Sequence, residues 1–259
     1  MNILLTNDDG YDAPGILALF EALTKDHNVT LVAPDSEKSA VGHGISLNHP
    51  LRLEKVNIDG HHHGFAVNGT PADCVKLALY ELFPEPPDLV IAGINPGSNT
   101  GININYSGTA AAAREAVFNR IPGMAVSIEI KKEKCFDFIG MARFITSFIT
   151  EVPDLNLPQG TFLNINGPDA FVDQTRGVKI TRQGNDNIST DFEKREDPKG
   201  RAYFWYAGVN RPGGIADTDI EALSDNYISI SPLRCDTTDP GTFAGLKRIA
   251  QAEWNGYRN

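Results

Sequence analysis

The sequence predicts an α/β fold: a Rossmann-like, mostly parallel sheet with helices on both faces, plus a strand-rich C-terminal extension. Strand-like and helix-like patterns alternate over the first 130 of 259 residues, which favours a parallel sheet because each crossover returns over one face. The strand candidates are short apolar runs, as in strands buried on both faces. Beyond residue 161, short strand candidates follow one another with few helix signals between them.

The elements of the first half follow from local patterns. The opening strand is a continuous apolar run that ends in Asn7-Asp8-Asp9-Gly10. Apolar residues of the first helix recur on one face, and Thr70-Pro71-Ala72-Asp73 supplies an N-cap, a first-turn proline and a carboxylate to the second. Gly93 is expected to open a loop after the third strand. The predicted strands are residues 1–6, 29–33, 88–92 and 123–128, and the predicted helices are residues 15–25, 71–83 and 109–119.

The second half of the chain changes character. A helix is expected over residues 136–149 and a terminal helix over residues 242–254. Residues 186–201 are polar and charged and contain turn residues, which indicates an exposed loop or a hairpin. Short strands are expected at residues 162–165, 178–182, 203–206 and 227–231. We therefore expect a Rossmann-like core over residues 1–130, which holds the candidate site, and residues 131–259 as the remainder of the same domain.

Composition and charge exclude several classes of protein. Apolar residues make up 41% of the chain and charged residues 22%, which excludes disordered and fibrous proteins. Asp and Glu total 33 against 23 Lys and Arg, a net charge of −10, so binding to nucleic-acid polymers is not expected. Neither a membrane-length apolar run nor a signal-peptide pattern is found, so no membrane association is expected. Isolated Cys74, Cys135 and Cys235 fit reduced thiols in the cytoplasm.

Polar loops follow the predicted strands at the edge where open α/β sheets bind ligands. They cover residues 7–10, 35–44 and 93–108. In the first loop Asp8 and Asp9 are adjacent, and two close carboxylates both ionise only when a positive charge compensates them. A divalent cation with oxygen ligands, such as Mg²⁺, Mn²⁺ or Ca²⁺, would supply that charge. The alternative is that one carboxylate caps the helix near Ala13 while the other is solvated.

The loop before the third predicted helix is the densest signal in the sequence. Residues 92–109 contain four glycines and four asparagines and end in Ser107-Gly108-Thr109 at the helix start. Free N–H groups at a helix N-terminus, beside two hydroxyls, form a ready anion site. The alternative is an N-capped helix after a turn-rich loop. A cap needs only one such residue and does not explain the density of glycine and asparagine, so we favour a phosphate site.

Other motifs point away from competing activities. The chain contains no GxxxxGK[ST] P-loop, and no GxGxxG follows the first strand, which disfavours P-loop and dinucleotide-binding folds. Residues 93–97 have the glycine spacing of a nucleophile elbow, but Asn95 occupies the serine position and cannot act as that nucleophile. The histidines at positions 61–63 are interpreted as a hydrated turn, and Cys74 as a packed helix residue.

Several motifs resemble the SurE family of survival-protein nucleotidases. They are residues 3–10, Ala33-Pro34-Asp35 with Ser39, residues 69–75 and residues 93–109. The Arg- and Gly-containing segment 195–205 and the late strand 227–233, preceded by Thr218-Asp219, extend the resemblance over essentially the whole chain in order. Because these motifs are long and occur together, chance is a poor explanation for them.

The resemblance implies a metal-dependent phosphomonoesterase that hydrolyses nucleoside 5′- and 3′-monophosphates to nucleoside and phosphate, with polyphosphate as a further substrate of some members. It implies one divalent cation per subunit, Mg²⁺ or Mn²⁺, with the ligands Asp8, Asp9, Ser39 and Asn95. The implied phosphate contacts are Ser107, Gly108 and Thr109, with Asn95 nearby. A homodimer or homotetramer formed by exchange of C-terminal elements is also implied, which would use the strand-rich extension.

Metal-assisted hydrolysis is the mechanism implied by the resemblance, in which the cation neutralises the phosphate and activates a water. Asp8 is expected to orient or deprotonate that water. Direct attack by Asp8 is an alternative, although phosphatases with an aspartyl nucleophile have Asp-x-Asp rather than adjacent aspartates. His43 is a candidate acid for the leaving oxygen. Ala40 and Gly44 stand where glycine and serine are common in the family, which leaves the preferred base and chain length open.

Two other functions remain as hypotheses at this stage. A non-catalytic module that senses nucleotide phosphate would share the anion site, but a pure binder does not need the costly pair Asp8 and Asp9. A sugar-phosphate phosphatase would share the whole site, and only a comparison of substrates separates it from a nucleotidase.

Overall fold

A single mixed sheet organises the residues that the computed structural model describes, which are 1–130, 136–151, 157–185, 191–207 and 215–254. In these residues the strands are β1 (Asn2–Thr6), β2 (Asn28–Pro34), β3 (Leu53–Asn57), β4 (His63–Val67), β5 (Leu89–Pro96), β6 (Gly123–Ile128), β7 (Thr161–Gly167), β8 (Val178–Ile180), β9 (Asp191–Glu196), β10 (Ala202–Ala207) and β11 (Ile228–Arg234). The sheet order is β3-β4-β2-β1-β5-β6-β7-β11-β8. Neighbouring strands are parallel except for the pairs β3–β4 and β7–β11.

Helices cover both faces of this sheet. In the described residues they are α1 (Pro14–Leu23), α2 (Pro71–Glu81), α3 (Gly108–Phe118), α4 (Phe138–Phe148), α5 (Asp219–Ser224) and α6 (Pro240–Trp254). Ile3 and Leu5 of β1 pack in one core cluster with residues of α1 and α4. Leu4, between them, packs in a second cluster with residues of α2 and α3, because successive side chains of a strand point to opposite faces. The predicted fold class is therefore confirmed.

The starts of α2 and α3 form as their local sequences predict. The hydroxyl of Thr70 accepts a hydrogen bond from Asp73 N (3.1 Å), and the Asp73 carboxylate accepts one from Thr70 N (3.0 Å), which completes a capping box. At α3 the Ser107 hydroxyl accepts from Ala110 N at 3.0 Å. Cys74 is buried in α2, as expected. These caps fix where each helix begins relative to the sheet.

The strand β5 extends beyond its predicted end. The sequence pattern predicts a strand that stops at Ala92 and a loop from Gly93, whereas β5 continues to Pro96. Its pairing with β6 shifts register after Ala92 and then resumes with Asn95 opposite Ser127. The glycine and proline indicate a loop locally, but β6 supplies backbone partners that the local pattern does not contain. The extension carries Asn95 to the carboxyl end of β5.

Three short elements, β3, β4 and α5, are absent from the sequence prediction. The exposed, charged residues of β3 blur its apolar pattern, and its neighbour in the sheet is β4. His63 is the first residue of β4 rather than part of a hydrated turn, although the two preceding histidines are exposed in the turn as predicted. The six residues of α5 are too few to show helical periodicity, and Thr218 caps them by accepting from Glu221 N (3.3 Å).

The sheet does not stop at residue 130. β7 pairs with β6, and β11 and β8 add two more strands to the same sheet. The predicted loop or hairpin at residues 186–201 and the predicted strand at 203–206 correspond to the antiparallel β9–β10 hairpin, in which β9 pairs with β10. Residues 186–190 lie outside the described part of the chain, as does Cys135. Across the described ranges, no helix is long and apolar enough to cross a membrane.

Candidate active site

The loop after β1 meets the first turn of α3. The hydroxyl of Thr109 donates a 2.6 Å hydrogen bond to Asp8 Oδ1. A side chain on Gly108 would be crowded there, because its Cβ would lie 2.9 Å from the Asp8 Cβ and 3.1 Å from Pro71 Cγ. The structure thus brings together Asp8, Gly108 and Thr109.

Asp8 and Asp9 form an acidic pair with little solvent around it. Asp8 is only 5% exposed. Burial raises the pKa of Asp8, and hydrogen bonds from the Thr109 hydroxyl and from the backbone of Gly108 and Thr109 offset part of that rise. Burial, then the nearby Asp8 and Glu37 carboxylates, raise the pKa of Asp9 to about 7. Two carboxylates held this close favour a bound cation over two separate ionised acids.

Oδ2 of Asp9 is buried and has no hydrogen-bond partner among the described residues. A buried carboxylate oxygen without a hydrogen-bond partner lowers the stability of the folded protein. At a candidate site, such an oxygen therefore indicates a ligand that binds there. The ligands that the resemblance implies add a hydroxyl and an amide oxygen to the two carboxylates, and such oxygen donors suit a hard divalent cation. This donor set fits the metal that the sequence predicts.

Ser39 lies on the loop that follows β2, and its hydroxyl donates to Glu37 Oε1 at 2.6 Å. That loop is fixed to the acidic pair, because Lys38 N donates to the backbone oxygen of Asp8 at 2.7 Å. Ser39 is exposed, so its hydroxyl can turn from Glu37 to a ligand by rotation about one bond. Glu37, which the sequence analysis does not single out, is therefore a neighbour of both Asp9 and Ser39.

Asn95, the fourth ligand that the resemblance implies, lies near the carboxyl end of β5. Its Nδ2 donates to the backbone oxygen of Gly97 at 2.6 Å, which fixes the amide plane and directs Oδ1 along the other branch. Within the described residues, no group of three or more His, Cys, Asp or Glu is arranged to hold a metal ion. The predicted set is of another kind, since it combines two carboxylates with a hydroxyl and an amide.

The hydroxyls predicted to contact phosphate already have partners in the protein. Ser107 caps α3, which is the alternative left open by the sequence, and Thr109 binds Asp8. The N-terminal turn of α3 therefore faces the Asp8 carboxylate, which the positive end of a helix stabilises. A phosphate at this place would share that helix terminus with Asp8 rather than occupy it alone.

His43 lies against the middle of α3 rather than at its first turn. Its Nε2 pairs with Glu115 Oε2 at 2.9 Å, and its ring stacks on Phe118 with 5.4 Å between centroids. Burial acts to raise the pKa of Glu115, but hydrogen bonds from His43 and Lys76 outweigh it and hold the pKa below its ordinary value. Glu115 follows Thr109 by six residues, about 9 Å along the helix axis. The Glu115 contact therefore fixes this imidazole against the side of α3.

A buried network of amides holds the loop after β5, and the sequence analysis does not identify it. Asn99 N donates to Asn166 Oδ1 at 2.8 Å, and Asn99 Nδ2 donates to Ser127 Oγ at 2.7 Å. Asn164 Nδ2 donates to the Asn99 backbone oxygen at 2.7 Å. The available signal is Asn-Ile-Asn in β7, since asparagines two apart on a buried strand share one face. Asp219 fixes the same loop two residues later, because its carboxylate accepts a 2.8 Å hydrogen bond from Gly101 N.

Comparison with known proteins finds a matching family and several similar relatives. The sequence model of the family described as “Survival protein SurE” matches residues 3–190. A protein of Desulfatibacillum aliphaticivorans named “5'-nucleotidase SurE” is 45% identical over 248 residues, 95% of this chain and 97% of that protein. A protein of Syntrophobacter fumaroxidans with the same name is 46% identical over 240 residues, 92% of this chain and 95% of that protein.

A solved structure extends the likeness to the fold. The crystal structure of the SurE protein from Aquifex aeolicus has a TM-score of 0.82 and 36% identity to this chain, and the match covers 98% of this chain and 100% of that one. The family match includes β1 with Asp8 and Asp9, the loop with Ser39, and the start of α3. On these grounds the chain belongs to the SurE family.

Proposed function

We propose that this protein is a metal-dependent phosphomonoesterase that hydrolyses nucleoside 5′- and 3′-monophosphates to nucleoside and phosphate. The observation that carries the proposal is the acidic pair Asp8 and Asp9, with a buried Asp9 oxygen that has no partner among the described residues. The name “5'-nucleotidase SurE” of the relatives supports the choice of nucleotides as the substrate. Polyphosphate is a further candidate substrate.

One divalent cation per subunit, Mg²⁺ or Mn²⁺, belongs to the proposal. Asp8, Asp9, Ser39 and Asn95 would hold it, since each places an oxygen-bearing side chain at the carboxyl edge of the sheet. The first three lie on loops, and Asn95 lies near the end of β5. When bound, such a cation neutralises charge on the phosphate and lowers the pKa of a water molecule.

The side chains of the protein would position the reactants. Thr109 fixes Asp8 through the 2.6 Å hydrogen bond, so that Asp8 presents its other oxygen towards the substrate and accepts a proton from the attacking water. Ser107, Gly108 and Thr109 would stabilise the phosphate through the N-terminus of α3, with Asn95 beside them. His43 is proposed as the acid for the leaving oxygen, with its ring oriented by Glu115.

The two alternative functions are not favoured. A sensing module and a sugar-phosphate phosphatase both lack support from relatives that carry the name of a nucleotidase. A substrate panel separates all three. Wild-type protein is incubated with nucleoside 5′- and 3′-monophosphates, ribose 5-phosphate and tripolyphosphate, with each divalent metal in turn. Release of phosphate fastest from the nucleotides supports the proposal, and no turnover of any nucleotide with any metal contradicts it.

A homodimer or homotetramer is also proposed. The β9–β10 hairpin exposes aromatic residues on both of its faces, namely Phe192, Tyr203, Phe204, Trp205 and Tyr206. The helix α6 exposes Phe243, Leu246 and Ile249, which share one stripe at a spacing of three residues. A two-stranded hairpin is marginally stable alone, and large exposed apolar surfaces mark sites of association. A second copy of this chain is the proposed partner.

The cytoplasm is the proposed compartment. The support is the use of cysteine, since Cys74 and Cys235 are both free thiols in the structure. Disulfides are expected in oxidising compartments and free thiols in reducing ones.

A further inference from the structure

A cavity of about 400 Å³ lies directly beside the proposed metal ligand Asp9. Its walls are the start of α1, the end of β5 at Pro96, the loop residue Glu37, and two rings that precede and begin α4, Phe136 and Phe138. We propose that this Phe136 cavity binds the nucleoside part of the substrate, with the base against the ring of Phe136. This inference rests on the proposed function and adds where the nucleoside lies.

The aromatic wall suits a flat, neutral ligand. The rings of Phe136 and Phe138 are stacked, with 5.6 Å between centroids and 13° between planes. Phe138 packs against the main core, whereas Phe136 is 41% exposed. A base can therefore stack on the exposed ring of Phe136, which the half-buried Phe138 holds in place. Stacking of a base on an aromatic side chain tolerates every base, since each has a π face.

The described ionisable groups of the cavity can bind the nucleoside part of the substrate. The ionisable residues that line it are Asp9 and Glu37, both acidic, and no Lys, Arg or His lines it among the described residues. A nucleoside is neutral, and its amino and hydroxyl groups can donate to the Glu37 carboxylate. The phosphate would then lie on the other side of the acidic pair, at α3.

The volume limits the size of the ligand. Pockets for small molecules span about 300–1,000 Å³, so this cavity is at the small end of the range. One nucleoside fits that volume, while a dinucleotide would extend out of it. The cavity thus favours monophosphates of single nucleosides as substrates, which a phosphate site alone would not select.

Binding of adenosine to the full-length protein tests the inference without turnover. Isothermal titration calorimetry is run on the wild type, on Phe136→Ala, and on Ala13→Phe, which fills the cavity from its α1 side. Phe171→Ala is the matched control, because Phe171 is also an exposed phenylalanine but does not line this cavity. We expect about a 5- to 50-fold loss of adenosine affinity in both cavity variants and a change below twofold in the control.

Kinetics with two kinds of substrate separate this inference from the proposed function. Phe136→Ala should raise KM for adenosine 5′-monophosphate by a similar factor and leave hydrolysis of tripolyphosphate and ribose 5-phosphate within twofold. Adenosine affinity that is unchanged in Phe136→Ala, or too weak to measure in the wild type, overturns the inference even if nucleotides are hydrolysed. Absence of all phosphatase activity, with adenosine binding still dependent on Phe136, instead refutes the proposed function and retains the nucleoside site.

Discussion

Thr109 Oγ1 donates to Asp8 Oδ1 at 2.6 Å, across 101 residues of sequence. This contact joins the loop after the first strand to the first turn of α3. Thr109 is fully buried, so water does not compete for its hydroxyl. The carboxylate is therefore held in one orientation before any substrate binds, which is what a group that positions water requires.

Removal of the Thr109 hydroxyl should impair turnover more than folding. Thr109→Val keeps the shape of the side chain but leaves Asp8 Oδ1 without its partner. A hydrogen bond to a charged group contributes about 1.5–3 kcal/mol, so we expect kcat to fall roughly ten- to a hundredfold. Thr109→Ser restores the hydroxyl and should keep activity within about threefold of the wild type. Equal rates for Thr109→Val and the wild type would show that Asp8 needs no such support.

A side chain at position 108 should disrupt the same junction. The Cβ of Gly108→Ala would meet Asp8 Cβ at 2.9 Å and Asp8 Oδ2 at 3.1 Å, so the loop or the helix must move. We expect a loss of about 1–3 kcal/mol in the free energy of unfolding together with a large loss of activity. Gly245→Ala in α6 is the control, because an added Cβ there has no neighbour within 4 Å. Urea unfolding and phosphate release measure both effects; a Gly108→Ala protein with wild-type values would contradict the predicted crowding.

Asp9 should make the stability of the metal-free protein fall as pH rises. Its pKa is about 7 in the folded protein and near 3.9 in an unfolded chain, so the folded state binds the proton more tightly. Between these values, loss of the proton costs folding free energy, and Asp9→Asn does not incur that cost. The stability of Asp9→Asn relative to the wild type should therefore increase from about pH 4 to about pH 7 in chelator and then level off.

Urea unfolding of both proteins at several pH values checks this prediction. Added Mg²⁺ should reduce the difference at high pH, because a cation compensates the ionised pair in the wild type. A difference that stays constant across this range would mean that Asp9 titrates normally.

We expect the homo-oligomer to depend on the exposed aromatic residues of the β9–β10 hairpin. Phe204 and Trp205 are each 60% exposed although they lie on opposite faces of β10. Replacement of both by Ser should shift the particle to smaller species in sedimentation at micromolar concentration, because a subunit contact loses its apolar core. Tyr80→Ser, which alters an exposed aromatic residue on α2, is the control. A wild-type protein that sediments as a monomer would overturn the proposed assembly.

Features set by local sequence could be predicted. Thr70, Pro71 and Asp73 determine the start of α2 by themselves. The adjacency of Asp8 and Asp9 in the sequence already predicts a close acidic pair, whose pKa values burial raises. The continuous apolar runs of the central strands likewise predict a parallel sheet that is buried on both faces. The edge strand β3 does not follow this rule, because one of its sides is exposed and its residues are charged.

Features set by contacts between distant residues could not be predicted. The sequence suggests a phosphate contact for Thr109 but does not reveal its hydrogen bond to Asp8. It likewise suggests an acid role for His43 but does not reveal the contact with Glu115, 72 residues away. The sequence does not identify Glu37 as a site residue, because only the fold brings it to Asp9 and the Phe136 cavity. The amide network of Asn99 and Asn166 joins residues 67 positions apart. A buried polar side chain of this kind can be interpreted only when its hydrogen-bond partners are known.

Metal-dependent phosphate release is the most direct test of the central claim that Asp8 and Asp9 hold a catalytic cation. Wild-type protein is chelated exhaustively, then assayed with adenosine 5′-monophosphate before and after Mg²⁺ or Mn²⁺ is added. We expect no release from the chelated protein, full recovery with metal, and at least about a tenfold higher metal requirement in Asp9→Asn, since a neutral amide attracts a cation less than a carboxylate does. Hydrolysis at the full rate by the chelated wild type, with no response to added metal, would contradict the account.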